Sequence, residues 1–285
     1  MEKRKEEIMK FVFLLAACVS IALVTMICLF LFANGLPTIG KIGAADFFFG
    51  ERWRPANDLY GILPMILGSL YVTLGAIAVG VPVGILTAIF MARFCPDKIY
   101  NVLKPAVELL AGIPSVVYGF FGLVVMVPLI REHVGGTGSS MLTASLLLGM
   151  MILSTLISVA EAALRAVPNS YYEGALALGA GHVRSVFFTI VPAAKSGIMA
   201  AVILGMGRAV GETMAVIMVA GNQARMPAGL LKGLRTMTAN IVTEMGYATG
   251  LHREALIATG VVLFVFILII NLSLSLLNRR SENAN

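Results

Sequence analysis

The sequence has little charge. Of its 285 residues only 13% are Asp, Glu, Lys or Arg, against about 25% in a soluble globular domain. With 59% hydrophobic residues and a mean hydropathy of +0.92, too few polar side chains remain to cover a water-facing surface. That excludes a soluble enzyme, and the excess of apolar residues excludes a disordered chain. The three cysteines, Cys18, Cys28 and Cys95, show neither paired secretory spacing nor a CxxC pattern, so they read as small hydrophobes. The three histidines lie in different loops, and no HExxH or GxSxG occurs; no catalytic residue, metal ligand or cofactor is expected. A phosphate-binding loop is missing too. Its nearest approach, Ala194-Lys195-Ser196, lacks the preceding glycines. No basic run interleaved with aromatics suggests nucleic acid, and anionic membrane lipid accounts for the net charge of +6.

What is present is a series of long uncharged runs, the pattern of an all-α polytopic membrane protein. A helix needs about 20 residues to cross roughly 30 Å of hydrocarbon. Six runs qualify: 11–33, 62–92, 105–130, 139–160, 197–220 and 255–277. The first follows a basic tail, 1–10, and resembles a signal peptide, but its 23 residues exceed an apolar region of about 7–15. It is read as a retained span. Six crossings put both termini on one side. Twelve Lys and Arg fall on that side and eight on the other, so the bias favours cytoplasmic termini, including the tail 278–285, in the cell membrane.

Two outer loops are long. The loop 34–61 carries Phe47-Phe48-Phe49 and the sole tryptophan, Trp53, and reads as an interfacial aromatic belt. The loop 221–254 is expected to hold one short helix near 227–247.

The densest polar signal is Gly205–Val216, GMGRAVGETMAV, inside the fifth run. Arg208 and Glu212 are four apart, so a continuous helix puts them on one face, able to pair. Charges in hydrocarbon cost about 2.5–3.5 kcal/mol each on insertion scales; this face is expected to point into protein or a watery pathway, with Thr213 alongside. A structural ion pair locking two helices is the competing reading. Gly207 and Gly211 form a GxxxG motif suited to close helix packing. Glu108 in the third run reads as interfacial.

The inner loop 161–197 contains Pro168-Asn169-Ser170 and then Glu173, the spacing of a capping box. It predicts a helix from Tyr171 to Leu178, ended by Gly179 and Gly181, and a second segment from His182 to Ile190. Tyr171, Tyr172, Ala175 and Leu178 give the first helix an apolar face.

Glu173-Gly174-Ala175, then Gly179, then Ile190-Val191-Pro192 resembles the EAA loop of ABC-importer permeases, with Gly174 where the family has alanine. Ala111–Gly119, GRAVGETMAV and Met218–Asn222 narrow the likeness to phosphate-specific permeases of the PstC type, over about residues 62–277. The resemblance implies a type I ABC-importer (MetI-like) permease core behind a peripheral first helix. It also implies a coupling loop at Tyr172, Glu173, Gly174, Ala175, Leu178, Gly179 and Pro192. The implied partners are a second permease of the PstA type, an ATPase pair and an extracytoplasmic phosphate-binding protein. Arg208 and Glu212 match positions implicated in phosphate passage. Another oxyanion, sulfate or molybdate, or an ATPase-independent secondary transporter, are the alternatives. A secondary transporter would be expected to show broken-helix repeats.

Overall fold

A computed structural model describes residues 2–282. Its first helix, α1 (Glu2–Ile42), is 41 residues long and contains Pro37. At 1.5 Å per residue it outruns the hydrocarbon at both ends. The expected tail 1–10 is therefore mostly helix, and the expected outer loop begins at 43 rather than 34. None of the most apolar stretch of α1 is buried, which places it at the rim of the bundle. Its outer half leans on the last helix, with Lys41 paired to Glu254 at 2.8 Å.

The outer loop is folded. It comprises α2 (Ala44–Phe49) and a two-stranded hairpin, β1 (Trp53–Arg54) with β2 (Leu59–Tyr60). Phe47 and Trp53 are buried, while Phe49 is exposed. Phe47 and Trp53 therefore depart from the aromatic-belt expectation. Trp53 is a core residue because its indole N–H reaches a buried carboxylate, Glu244, at 2.8 Å.

The second span is α3 (Leu63–Ile89), continued by a π-helical turn at Phe90–Phe94. The third differs from expectation. Residues 97–112 form a separate helix, α4 (Asp97–Gly112), and Ile113-Pro114 breaks the chain. The crossing itself runs through α5 (Ser115–Phe121), a π-turn and α6 (Val127–His133). Proline disfavours helix in the residue before it and suits a helix start. Then come α7 (Met141–Ala166), the inner-loop helices α8 (Asn169–Ala177), α9 (His182–Ser185) and α10 (Val191–Ala193), and α11 (Lys195–Gly211). The segment 182–193 meets α11 at a 68° bend. A six-residue helix, α12 (Met214–Val219), an outer helix, α13 (Met237–Met245), shorter than expected, and α14 (Gly250–Glu282) complete the chain. Residues 278–282 continue α14; the last three residues of the assigned C-terminal tail lie outside the described residues. Among the described residues five helices are long and apolar enough to cross a membrane, or six if the bent pair is taken as one span.

The centre of the bundle is α7, the most buried span. On α3, Gly80 and Gly84 face it so closely that an added Cβ would lie within 3 Å of Ile152 or Leu156. This is the small-residue packing that membrane helices use in place of a hydrophobic drive. The sequence expectation put it at Gly207 and Gly211. Within this chain nothing lies within 4 Å of a Cβ at either position, so that pair opens onto free space.

Candidate functional site

The fifth crossing is broken where its charges lie. α11 stops at Gly211, and Glu212 adopts an extended conformation, φ −68° and ψ 131°. The continuous helix that would have aligned Arg208 with Glu212 does not exist, and the two side chains do not pair. Glu212 instead turns forward: its Oε1 accepts from the Ala215 amide at 3.2 Å, capping the first turn of α12. Thr213 donates to the Gly211 carbonyl at 3.2 Å. The Glu212 carbonyl, freed by the break, accepts from the Thr238 hydroxyl at 3.2 Å. Side chains therefore satisfy the backbone groups that the helix relinquishes, as membrane depth requires.

Arg208 sits in the last turn of α11, where its cation suits the negative helix end. It is half-buried. Its Nη1 donates to the Thr155 hydroxyl on α7 at 3.1 Å, and no carboxylate lies within ion-pair distance among the described residues. A guanidinium held by a neutral hydroxyl keeps its full charge and most of its five donors for a visitor. Gly207 and Gly211 beside it leave open room.

At the inner end, α8 takes the predicted place. Gly179 ends it at φ +83°, a left-handed conformation that suits glycine. The expected Ser170–Glu173 capping box is not made; Asn169 Nδ2 donates to Glu173 Oε1 at 2.9 Å instead. The apolar face is exposed: Leu178 is 91% and Tyr171 52% accessible. Tyr172 turns inward, its hydroxyl 2.8 Å from His182 Nδ1, which ties α8 to α9. Ala175, Leu178 and Gly179 line a cleft with Arg184 and Phe188. Pro192 is exposed on α10. A side chain at Gly174 would meet nothing, so glycine is not a packing requirement there.

Two polar nodes escape sequence reasoning. Buried Glu161 on α7 accepts from Tyr100 and Lys104 on α4 and from Arg165, each at 2.7 Å. It fastens α4 sideways to the bundle, whereas Glu108 is largely exposed near Lys104, as expected of an interfacial residue. The i, i+4 spacing of Glu161 and Arg165 was its visible signal. On the outer side, Glu244 accepts from Trp53 and Arg235 and lies 2.8 Å from His252 Nε2. Burial pushes its pKa up, but the hydrogen bonds from Trp53, His252 and Arg235 outweigh that, so the carboxyl is held below its ordinary range.

Residues 80–283 match the family described as the inner membrane component of binding-protein-dependent transport systems. The chain belongs to this family. This inner membrane component is 40% identical over 265 residues to a probable ABC transporter permease of Bacillus subtilis, YqgH, covering 89% of this chain and 86% of that one. It is 33% identical to the phosphate transport permease PstC of Xylella fastidiosa, covering 85% and 82%. A probable PstC of Methanocaldococcus jannaschii is 30% identical, covering 94% and 92%. Its fold is similar to that of a bacterial ABC transporter that imports alginate, with a TM-score of 0.60, 17% identity, and 97% and 99% of the two chains covered. The methionine transporter MetNI in an inward-facing form gives a TM-score of 0.58 at 21% identity, covering 78% and 94%. The component is thus a multi-pass membrane permease with the MetI-like fold, and the family works with binding-protein and ATPase partners.

Proposed function

We propose that this chain is the PstC-type permease subunit of an ATP-driven importer that moves inorganic phosphate across the cell membrane by alternating access. The observation that carries the reading is Arg208: a half-buried guanidinium beside a broken span, held by a hydroxyl and free of any carboxylate among the described residues. Such a group binds an oxyanion through its planar fork yet lets it leave, because one cation in a partly hydrated site makes a weak site. The phosphate transport permeases among its relatives support the choice of anion. In this reading a second, PstA-type permease completes the pathway on the open side of Gly207 and Gly211. A pair of ATPases docks on Tyr172–Gly179, with Pro192 framing the loop. A phosphate-binding protein delivers cargo to the outer face, and both termini are cytoplasmic. Glu212 and Thr213 shape the break and so the opening next to Arg208. The chain itself catalyses nothing; ATP hydrolysis belongs to the ATPase subunits.

The test is phosphate uptake by vesicles carrying the whole importer. Arg208→Lys keeps the charge but loses the fork. Uptake should fall at least tenfold, with the ATPase subunits still co-purifying. Undiminished uptake would refute a direct role for Arg208. Competition by sulfate and molybdate in the same vesicles decides the anion, and phosphate should be the one taken up preferentially.

A further inference from the structure

Several threonines inside the helices of this chain spend their hydroxyl proton on their own backbone. Thr25, Thr87, Thr243 and Thr259 each donate to the carbonyl four residues back, at 2.7–2.9 Å. Thr155, in the middle of α7, does not. Its oxygen accepts from Arg208 Nη1 at 3.1 Å, and its own O–H has no acceptor within hydrogen-bond reach among the described residues. A hydroxyl has one donor and two lone pairs, and at this half-buried position the O–H stays open to an arriving acceptor. The placement is fixed by packing: a Cβ on Gly205 of α11 would lie 3.3 Å from Leu156 of α7. Ile152 and Leu156 are fully buried around that contact, so the register that sets Thr155 opposite Arg208 cannot slide.

We infer that Thr155 is a second substrate contact. It positions the Arg208 guanidinium through a lone pair and donates its O–H to an oxygen of the same bound oxyanion. The inference rests on Arg208 binding the anion, and it adds a donor from a different helix. Because the added group is a donor, it serves any tetrahedral oxyanion equally. It sets how firmly the site holds its cargo, and the choice between phosphate and sulfate is made by other groups.

The experiment compares Thr155→Val, Thr155→Ser and Arg208→Lys in vesicles containing both permeases, the ATPases and saturating phosphate-loaded binding protein. Thr155→Val keeps the shape and loses both hydrogen-bonding roles. Phosphate uptake should drop about tenfold, the order expected for one hydrogen bond to a charged group, while Thr155→Ser stays within about twofold of wild type. A second measurement uses Thr155→Cys in a background without the native cysteines: a small anionic thiol reagent should modify it, and phosphate delivered by the binding protein should slow that reaction. Wild-type uptake in Thr155→Val, with Arg208→Lys inactive, overturns the inference and leaves the role of Arg208 standing. Loss of complex assembly in Thr155→Val, or a thiol at position 155 that phosphate does not protect, reassigns Thr155 to packing and also overturns it. Full uptake in Arg208→Lys removes the site on which both rest.

Discussion

Two charged residues, half-buried Arg208 and buried Glu244, are in opposite situations. Among the described residues no carboxylate lies within ion-pair distance of Arg208. Glu244 carries a charge that the chain surrounds: Trp53 from the hairpin, Arg235 and its own α13 from the last loop, and His252 from α14 all converge on it. Removing one partner of a buried, hydrogen-bonded charge pair costs about 3–5 kcal/mol, so Glu244→Gln should destabilise the outer cap strongly. The pH dependence has a definite sign. A carboxyl whose folded pKa lies below its unfolded value of about 4.3 contributes stability that is present above that value. The contribution is lost as pH falls through the folded pKa. The gap in thermal midpoint between wild type and Glu244→Gln in detergent should therefore be largest near neutrality and should close as the pH drops below about 4. A gap that widens in acid would show that the carboxylate is not held ionised by its neighbours.

Among the elements, α8 is the one whose surface makes no sense for a lone subunit. Nine residues long, it is fastened to α9 through Tyr172 and His182, yet Tyr171 and the adjoining Leu178 are left exposed. A partner that covers this face should be repelled by a charge at its edge. Ala175→Arg should abolish co-purification of the ATPase pair and leave the permease in the membrane, measured by pull-down from solubilised membranes; full retention of the ATPase would remove the coupling role from α8. Pro168 before this helix and Gly179 after it made it readable from sequence. The third span was harder to read, because residues 105–112 are apolar enough to extend a crossing. What takes them out of it is Glu161, 57 residues beyond Lys104, which draws Lys104 and Tyr100 sideways. The break at Glu212 carries no proline; Gly211, Glu212 and Thr213 support it locally, and Thr238 of the loop 221–254 completes it from 26 residues away.

At the scale of the whole molecule, the crossing number and the family likeness were legible because hydrophobic run length responds to one physical constraint, the thickness of the hydrocarbon. The pairing of Arg208 was misread because the spacing rule presumes an unbroken helix. Its true neighbour, Thr155, lies on α7, 53 residues away. The structure also separates the polar clusters by helix end. Trp53, Glu244 and His252 gather where α3 begins, whereas Arg93, Glu161 and Arg165 gather where it ends. The ends of α3, 27 helical residues plus a π-turn, must lie on opposite faces of a bilayer. The proposed orientation, drawn from the excess of Lys and Arg, puts the second group in the cytoplasm, and it has a direct test. In a variant with Cys18, Cys28 and Cys95 replaced by alanine, Leu178→Cys and Leu59→Cys each create a thiol at an exposed site. A membrane-impermeant maleimide added to intact cells should label the thiol at position 59 and spare the one at 178 until the membrane is opened. The reverse pattern would invert the topology. α8 would then face away from any cytoplasmic ATPase, and ATP could not drive the transporter through that loop.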